Sequence, residues 1–299
     1  MADRRLAFAN AALRAKKAPD KPFVALLRLI RLCLPGDYIK TFVYLNFLLA
    51  PRKFVRKAVN GFYRMDHIYD VLKEFRQHYE GPFSILEFGT ARGYSFSKML
   101  YATRYLGMED SVTVHAFDTF EGLPESELDA DMGLMANDYA QGAYRGNYEE
   151  LTRYCKARGF KNFKLHKGRF NDTLVKETVD QFRESQPILI WVDCDYYSSS
   201  ATLFERLLQV IPTGCVLYFD EYDFNFGSRF TGEARLVDEV NRGKFGDNIE
   251  LVLDPNLSWD SKRIYRFIRF GADGPRYRSR VRVTKTPPAR PIDDGSPFP

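Results

Sequence analysis

The sequence predicts an α/β protein: a mostly parallel sheet with helices on both faces, a C-terminal antiparallel hairpin, and an N-terminal helical extension. Three observations carry this. Between residues 65 and 271, short apolar runs alternate with stretches of helical period, the pattern of βα units. The last two apolar runs are separated only by "DPNLSWDSK", too short for a helical crossover, so they must pair antiparallel. The first 64 residues are basic and apolar pieces broken at Pro35-Gly36 and at Pro51.

Taken in order, residues 1–64 form the extension. "FVALLRLIRLCL" places Arg28 and Arg31 three apart, on one helical face. "YIKTFVYLNFLLAPRKFVRKAVNGFYRM" turns from apolar to basic and aromatic. Such an arm packs on the body or on a second subunit, giving a homo-oligomer. The other reading is a peripheral membrane contact, with Lys and Arg at the headgroups.

Residues 65–271 form the main domain. Its strand candidates are Ser84–Phe88, Val112–Asp118, Phe163–His166, Ile188–Asp193, Val216–Asp220, Ile249–Leu253 and Arg263–Phe270. Helices are predicted at His67–Tyr79, Ser95–Leu106, Tyr148–Arg158, Ser199–Gln209 and Glu233–Arg242. The remainder, residues 272–299, is rich in Pro, Gly and Arg and reads as a disordered basic tail.

Charge is segregated. The net +5 divides into +11 over residues 1–64, −9 over 65–271 and +3 over 272–299. An acidic body with a basic arm argues against a nucleic-acid-binding core. The four cysteines, Cys33, Cys155, Cys194 and Cys215, have no CxxC spacing, so neither a disulfide framework nor a cysteine metal site is expected. The stretch "MADRRLAFANAALRAKK" lacks a secretory h-region, and the apolar run Thr41–Pro51 is too short to span a bilayer. A cytoplasmic protein, at most peripheral to a membrane, is the expectation.

The chemistry begins at "ILEFGTARGYS", residues Ile85 to Ser95. In an open parallel sheet, ligands bind where strands end and helices begin. Two glycines, Gly89 and Gly93, could make a plain tight turn. A dinucleotide fingerprint would need glycine where Glu87 stands, and no G-K-[ST] of a P-loop is present. An E-x-G-x-x-x-G turn suits a ligand with a cationic end, such as the sulfonium and ammonium of S-adenosylmethionine. Asp118, at the tip of "VTVHAFD", could accept ribose hydroxyls, or it could be a turn residue.

"LEFGTARGYS" resembles the first motif of class I S-adenosylmethionine-dependent methyltransferases, including the catechol O-methyltransferase group, whose sheet is Rossmann-like. "FDTFEGLPE", "KGRFNDTL", "VDCDYYSSS" and "GCVLYFDEY" resemble, in the right order, successive motifs of the macrocin O-methyltransferase (TylF-like) family. The resemblance covers roughly residues 80–270. It implies that Glu87, Gly89, Ala91 and Ser95 line the methionine half of the cofactor, with Thr90 and Gly93 also cofactor-binding. It implies further that Asp118 holds the ribose, that Thr119, Phe170 and Asn171 lie by the adenine, and that Asp193 borders the cofactor.

"WVDCD" and "YFDEY" each follow an apolar strand, so Asp193, Asp220 and Glu221 converge on one rim if those strands are neighbours. Clustered carboxylates repel unless neutralised, and an all-oxygen set favours Mg²⁺. In the metal-dependent relatives the matching positions ligate Mg²⁺, the third commonly as Asn or Asp, where this chain has the longer Glu221. Otherwise the acids serve only the cofactor and helix N-termini. The only histidines are His67, His78, His115 and His166, and none falls where the sugar methyltransferases carry a base. Asp195, two residues after Asp193 and so on the same side of a strand, is the base candidate. Tyr144 and Tyr197 are the alternatives.

The polar stretch Ser126–Asn147 reads as a lid over the acceptor. The expected function is Mg²⁺-assisted O-methylation of a small-molecule hydroxyl acceptor, a sugar or other natural product. The alternative is a non-catalytic S-adenosylmethionine-binding protein that docks a membrane or protein partner through its basic arm.

Overall fold

Every apolar run singled out in the main domain is a strand. Six run in one direction, and the innermost are buried on both faces, which is what such continuous apolar runs require. The structure is a computed structural model describing residues 66–126, 128–132, 140–258, 263–271 and 274–280. The expected arm at 1–64, residues 127 and 133–139 of the expected lid, and residues 272–273 and 281–299 of the expected tail lie outside the described residues.

The chain runs α1 (Asp66–His78), β1 (Tyr79–Glu80), β2 (Phe83–Phe88), α2 (Tyr94–Tyr105), β3 (Val112–Asp118) and α3 (Asp129–Met132). It continues through α4 (Tyr148–Ala157), β4 (Phe163–Lys167), α5 (Phe170–Thr173), α6 (Lys176–Glu184) and β5 (Gln186–Val192). Then come α7 (Tyr197–Leu207), β6 (Val216–Phe219), a 3₁₀ turn (Phe224–Gly227), α8 (Gly232–Asn241), β7 (Ile249–Leu253), β8 (Arg263–Arg269) and β9 (Arg278–Ser279). The seven-stranded sheet has the order β4-β3-β2-β5-β6-β8-β7. Only β8 runs against its neighbours, pairing antiparallel with both β6 and β7.

Alternate residues of each central strand enter opposite cores. Ile85, Val114, Leu189, Trp191 and Tyr218 pack on one face. Leu86, Phe88, Phe117, Val192 and Phe219 pack on the other. The chain leaves the centre of the sheet in both directions, from β2 towards β4 and from β5 towards β7. The gap between the ends of β2 and β5 is therefore the switch point where this architecture binds ligands.

The short helices α3 and α5, the 3₁₀ turn, helix α6 and strands β1 and β9 were not anticipated. Helix α6 carries one fully buried residue, Phe182, and so leaves a faint apolar signature. Strands β1 and β9 are two residues each and pair antiparallel, too short to show alternation. They also correct the tail. Disorder from residue 272 does not hold through 280, because Tyr277 packs into the core and its hydroxyl donates to the Pro187 carbonyl. An aromatic ring among arginines outweighs the local composition once it finds a pocket. Among the described residues, no helix is long and apolar enough to cross a membrane.

Candidate active site

At the C-terminal ends of β2 and β5 lies a cavity of about 560 Å³, within the usual range for a small-molecule site. One wall is the turn after β2. Gly89 has φ +90, and a Cβ there would lie 1.8 Å from the Asp193 carbonyl oxygen. Glycine is thus dictated by the close approach of the two strand ends. Gly93, with φ +79, caps α2, and a Cβ would strike Leu151 at 2.5 Å. Both glycines have structural work, and only Gly89 lines the cavity, with Thr90, Ala91 and Ser95.

Asp118 lines the same cavity. Its Oδ2 accepts the Ala91 N–H at 2.7 Å, and its Oδ1 accepts the Phe120 N–H at 2.5 Å. Both Ala91 and Phe120 have positive φ, so this carboxylate pins two strained turns. Burial raises its pKa, and these backbone donors oppose the rise. The sequence offered ribose or turn for Asp118, and the structure shows the turn role directly.

Glu87 does not line the cavity; it lies behind the turn with no exposed surface. Neither carboxylate oxygen has a partner in hydrogen-bond geometry. Burial pushes its pKa up to about 7, against the pull of the Ser95 and Thr90 hydroxyls and of Lys98. A carboxyl poised there can meet a cationic ligand with a charge.

The third side follows β3 and β4. Thr119, Phe170 and Asn171 line the cavity. Phe170 stands edge-on to Phe88 at 5.2 Å, so its ring is half core and half wall. The Thr119 hydroxyl donates to the Gly122 carbonyl, and Asn171 accepts from Arg206 at 3.4 Å.

The opposite wall is acidic. Strands β5 and β6 are parallel neighbours, so Asp193, Asp220 and Glu221 do converge, and all three line the cavity with Asp195. Trp191 and Tyr218, each two residues earlier, stack at 3.5 Å. The Trp191 indole N–H donates to Asp193 at 3.4 Å, and the Tyr218 hydroxyl to Asp220 at 2.6 Å. His67 of α1 stacks on both rings, so that histidine lies behind the acids rather than before the cavity.

Asp195 departs from the reading that put it here. The strand ends at Val192, and Asp195 has φ +60, so strand alternation does not place it. It lines the cavity through a turn. Tyr144 lines the cavity as well, 59% exposed. Tyr197 is not among the lining residues. Its hydroxyl donates to Glu239 at 2.7 Å and accepts from Lys244 at 2.9 Å, and Arg235 covers its ring. This tyrosine clasps α7 to α8.

One acid was missed in the sequence. Glu233, in the first turn of α8, is 1% exposed. Its Oε2 accepts the Glu221 N–H at 3.0 Å. Burial lifts its pKa well above the carboxylate range, and Asp220, Asp193, Glu221 and Asp195 lift it further. A signal was present: Glu233, Leu236, Val237 and Val240 share one helical face, and all four are buried. A carboxylate on an apolar stripe is conspicuous.

Part of the expected lid is described. Asp131 of α3 is fully buried and accepts from the Ser126 hydroxyl and from the Ser198 N–H and hydroxyl. It ties this segment to the start of α7.

The fold is a Rossmann-like α/β sheet of the kind seen in methyltransferase structures. A family model described as a methyltransferase domain matches residues 86–222. Among solved structures, CalS11, a calicheamicin methyltransferase, is similar over 87% of this chain and 97% of its own, at 18% identity and TM-score 0.53. The O-methyltransferase NovP is similar over 78% of this chain and 100% of its own, at 19% identity and TM-score 0.54. At these identities the likeness is one of fold. No curated protein is significantly similar to this chain in sequence.

Proposed function

We propose that this protein is an S-adenosylmethionine-dependent O-methyltransferase acting on a hydroxyl of a sugar or other natural product, with Mg²⁺ held by Asp193, Asp220 and Glu221. The observation that carries the reading is a single cavity with a glycine turn and Asp118 on one side and four carboxylates on the other. The methyltransferase-domain match over residues 86–222 supports the cofactor. The descriptions of NovP as an O-methyltransferase and CalS11 as a calicheamicin methyltransferase are in keeping with the acceptor class.

S-adenosylmethionine, when bound, supplies a methyl group on a sulfonium. The chain supplies position and charge. Gly89 lets the backbone approach the ligand closely, and Asp118 holds the turn in the shape that receives it. Glu87 places a carboxyl behind the cationic end, while Phe170 offers a ring face to the adenine.

The acidic donors are all oxygen, which suits a hard divalent cation. As placed, among the described residues, no group of three or more His, Cys, Asp or Glu could hold a metal ion. The reading therefore requires the Asp193, Asp220 and Glu221 side chains to turn towards one point. Mg²⁺, when bound, would lower the pKa of an acceptor hydroxyl and fix its orientation. Asp195 lies on the same wall to take the proton, with Tyr144 at the rim as the alternative.

The test is a titration calorimetry series with S-adenosylmethionine, followed by methyl transfer to a panel of glycosylated acceptors with and without EDTA. Cofactor binding and EDTA-sensitive turnover are expected. No cofactor binding would overturn the reading; turnover indifferent to EDTA would remove the cation from it.

A further inference from the structure

Two exposed phenylalanines stand beside the cavity. Between Glu221 and Gly232 the chain makes a loop that carries Phe226, 55% exposed, and Phe230, 66% exposed. Both ends of this loop meet the acidic wall. Glu221 lines the cavity, and a Cβ on Gly232 would lie 3.9 Å from the carbonyl oxygen of Asp195, another lining residue. The foot of the loop is fixed. Phe224 is buried with Tyr196 against the lining residue Leu123. The buried Asn225 donates its side-chain N–H to the Thr231 hydroxyl at 3.2 Å.

Single exposed apolar side chains are ordinary on a protein surface. This loop is not ordinary in its backbone. Phe226 is held at φ +63, directly after Asn225 at φ +50, a conformation costly for a bulky side chain. The strain brings the Phe226 ring no burial, so core packing does not account for it. Phe230 follows four residues later, with the Arg229 guanidinium 4.9 Å from its ring centroid. On the glycine-turn side of the cavity, Tyr144 is likewise exposed and likewise at positive φ. Its segment is pressed against that turn, since a Cβ on Gly146 would lie 2.0 Å from the Ala91 carbonyl oxygen. A cavity with a carboxylate wall thus has exposed aromatic rings on two sides of it.

We propose that the loop bearing Phe226 and Phe230 is a docking surface for the apolar body of the acceptor. The hydroxylated part enters the cavity, and the apolar part rests outside it against these rings. This rests on the methyltransferase reading of the cavity. It narrows the acceptor to amphipathic molecules, in which a hydroxyl-bearing head is joined to an aliphatic or aromatic body. A free sugar would occupy the cavity and leave the loop uncovered.

Methyl, hexyl and octyl β-glucoside, kept below micelle-forming concentrations, present one head with a growing apolar body. Each is titrated by calorimetry into the full-length protein saturated with S-adenosylhomocysteine, and into the double variant Phe226→Asn with Phe230→Ser. Asparagine accepts positive φ and both positions are exposed, so folding is not at risk. Wild type binds octyl glucoside about tenfold more tightly than methyl glucoside, because each buried methylene adds affinity. The double variant loses most of that preference and binds methyl glucoside as wild type does. Phe270→Ser is the control. Phe270 is 61% exposed, but it follows β8 at the end of the sheet away from the cavity, and its variant keeps the wild-type preference. No chain-length preference in wild type overturns the proposal, as does an unchanged preference in the double variant or an equal loss in Phe270→Ser. A double variant that alters only the sedimentation mass assigns the loop to contact between two copies of this chain and overturns the proposal as well. A protein that binds no S-adenosylhomocysteine removes the methyltransferase reading and the proposal together.

Discussion

Each long wall of the cavity hides one buried glutamate, and the two are unlike. Glu87 lies behind the glycine turn with two hydroxyls and Lys98 nearby, and its pKa settles near neutrality, at about 7. Glu233 lies behind the rim, where burial first and then Asp220, Asp193, Glu221 and Asp195 raise its pKa well above the carboxylate range. The difference is one of neighbourhood, since both are fully buried. One wall is nearly complete without a ligand: Asp118 is satisfied by two backbone donors, and a single charge finishes the set. The other wall gathers Asp193, Asp195, Asp220 and Glu221 along one side of the cavity.

If the walls are separable, damage to the acidic one should leave cofactor binding intact. The largest effect is expected from Asp220→Asn, which removes charge while keeping shape. Methyl transfer should fall roughly 10²–10⁴-fold, the range for losing a group that assists deprotonation. S-adenosylmethionine titration should be unaltered, and a parallel loss of affinity would show the walls to be one unit.

Gly89→Ala attacks the point where the walls touch. The added Cβ meets the Asp193 carbonyl oxygen at 1.8 Å, and φ is +90. Clash and strain together should cost about 1–3 kcal/mol or more. Urea unfolding reads that cost, and cofactor affinity and turnover should fall with it.

Asp118→Ala should cost about 1–3 kcal/mol of stability, because the Ala91 and Phe120 N–H groups lose a charged acceptor. Taken as a ribose ligand alone, Asp118 would weaken the cofactor and leave stability unchanged. Unfolding and cofactor titration of the same variant distinguish these.

The smallest effect is a pH dependence. Glu87 binds its proton more tightly folded than unfolded, its pKa moving from 4.5 to about 7. Its contribution to stability is therefore full below pH 4.5 and is lost as pH rises towards 7. Buried neutral His115 and His166, lowered from 6.5 to about 3 and about 4, act oppositely. Their contribution is present above pH 6.5 and is lost as pH falls. The difference in Tm between wild type and Glu87→Gln cancels the histidines. It should move against the wild type from pH 5 to 7.5. Cofactor affinity should rise over the same window in wild type only.

The inner strands were legible because they are buried on both faces, and such runs stand out whatever surrounds them. Val112–Asp118 and Ile249–Leu253 match residue for residue. The glycine turn was legible because a turn at a strand end needs glycine at a fixed offset. The clasp role of Tyr197 was not, since one helical step decides whether a side chain meets the cavity or the next helix. Glu233 was hidden because an acid in a first helical turn is ordinary. Its significance comes from Asp220 and Glu221, which reach it only through tertiary packing.

Helix α1 spans the depth of the domain. Its first turn puts His67 against Trp191 and Tyr218, the rings that hold the acids. Its last residue, His78, accepts from the backbone of Arg280 beside β9. Thirteen residues at 1.5 Å each make about 20 Å between these ends. One rigid element thus joins the rings behind Asp193 and Asp220 to the β1–β9 pair, so a change in how that small sheet pairs reaches the acidic rim through His67.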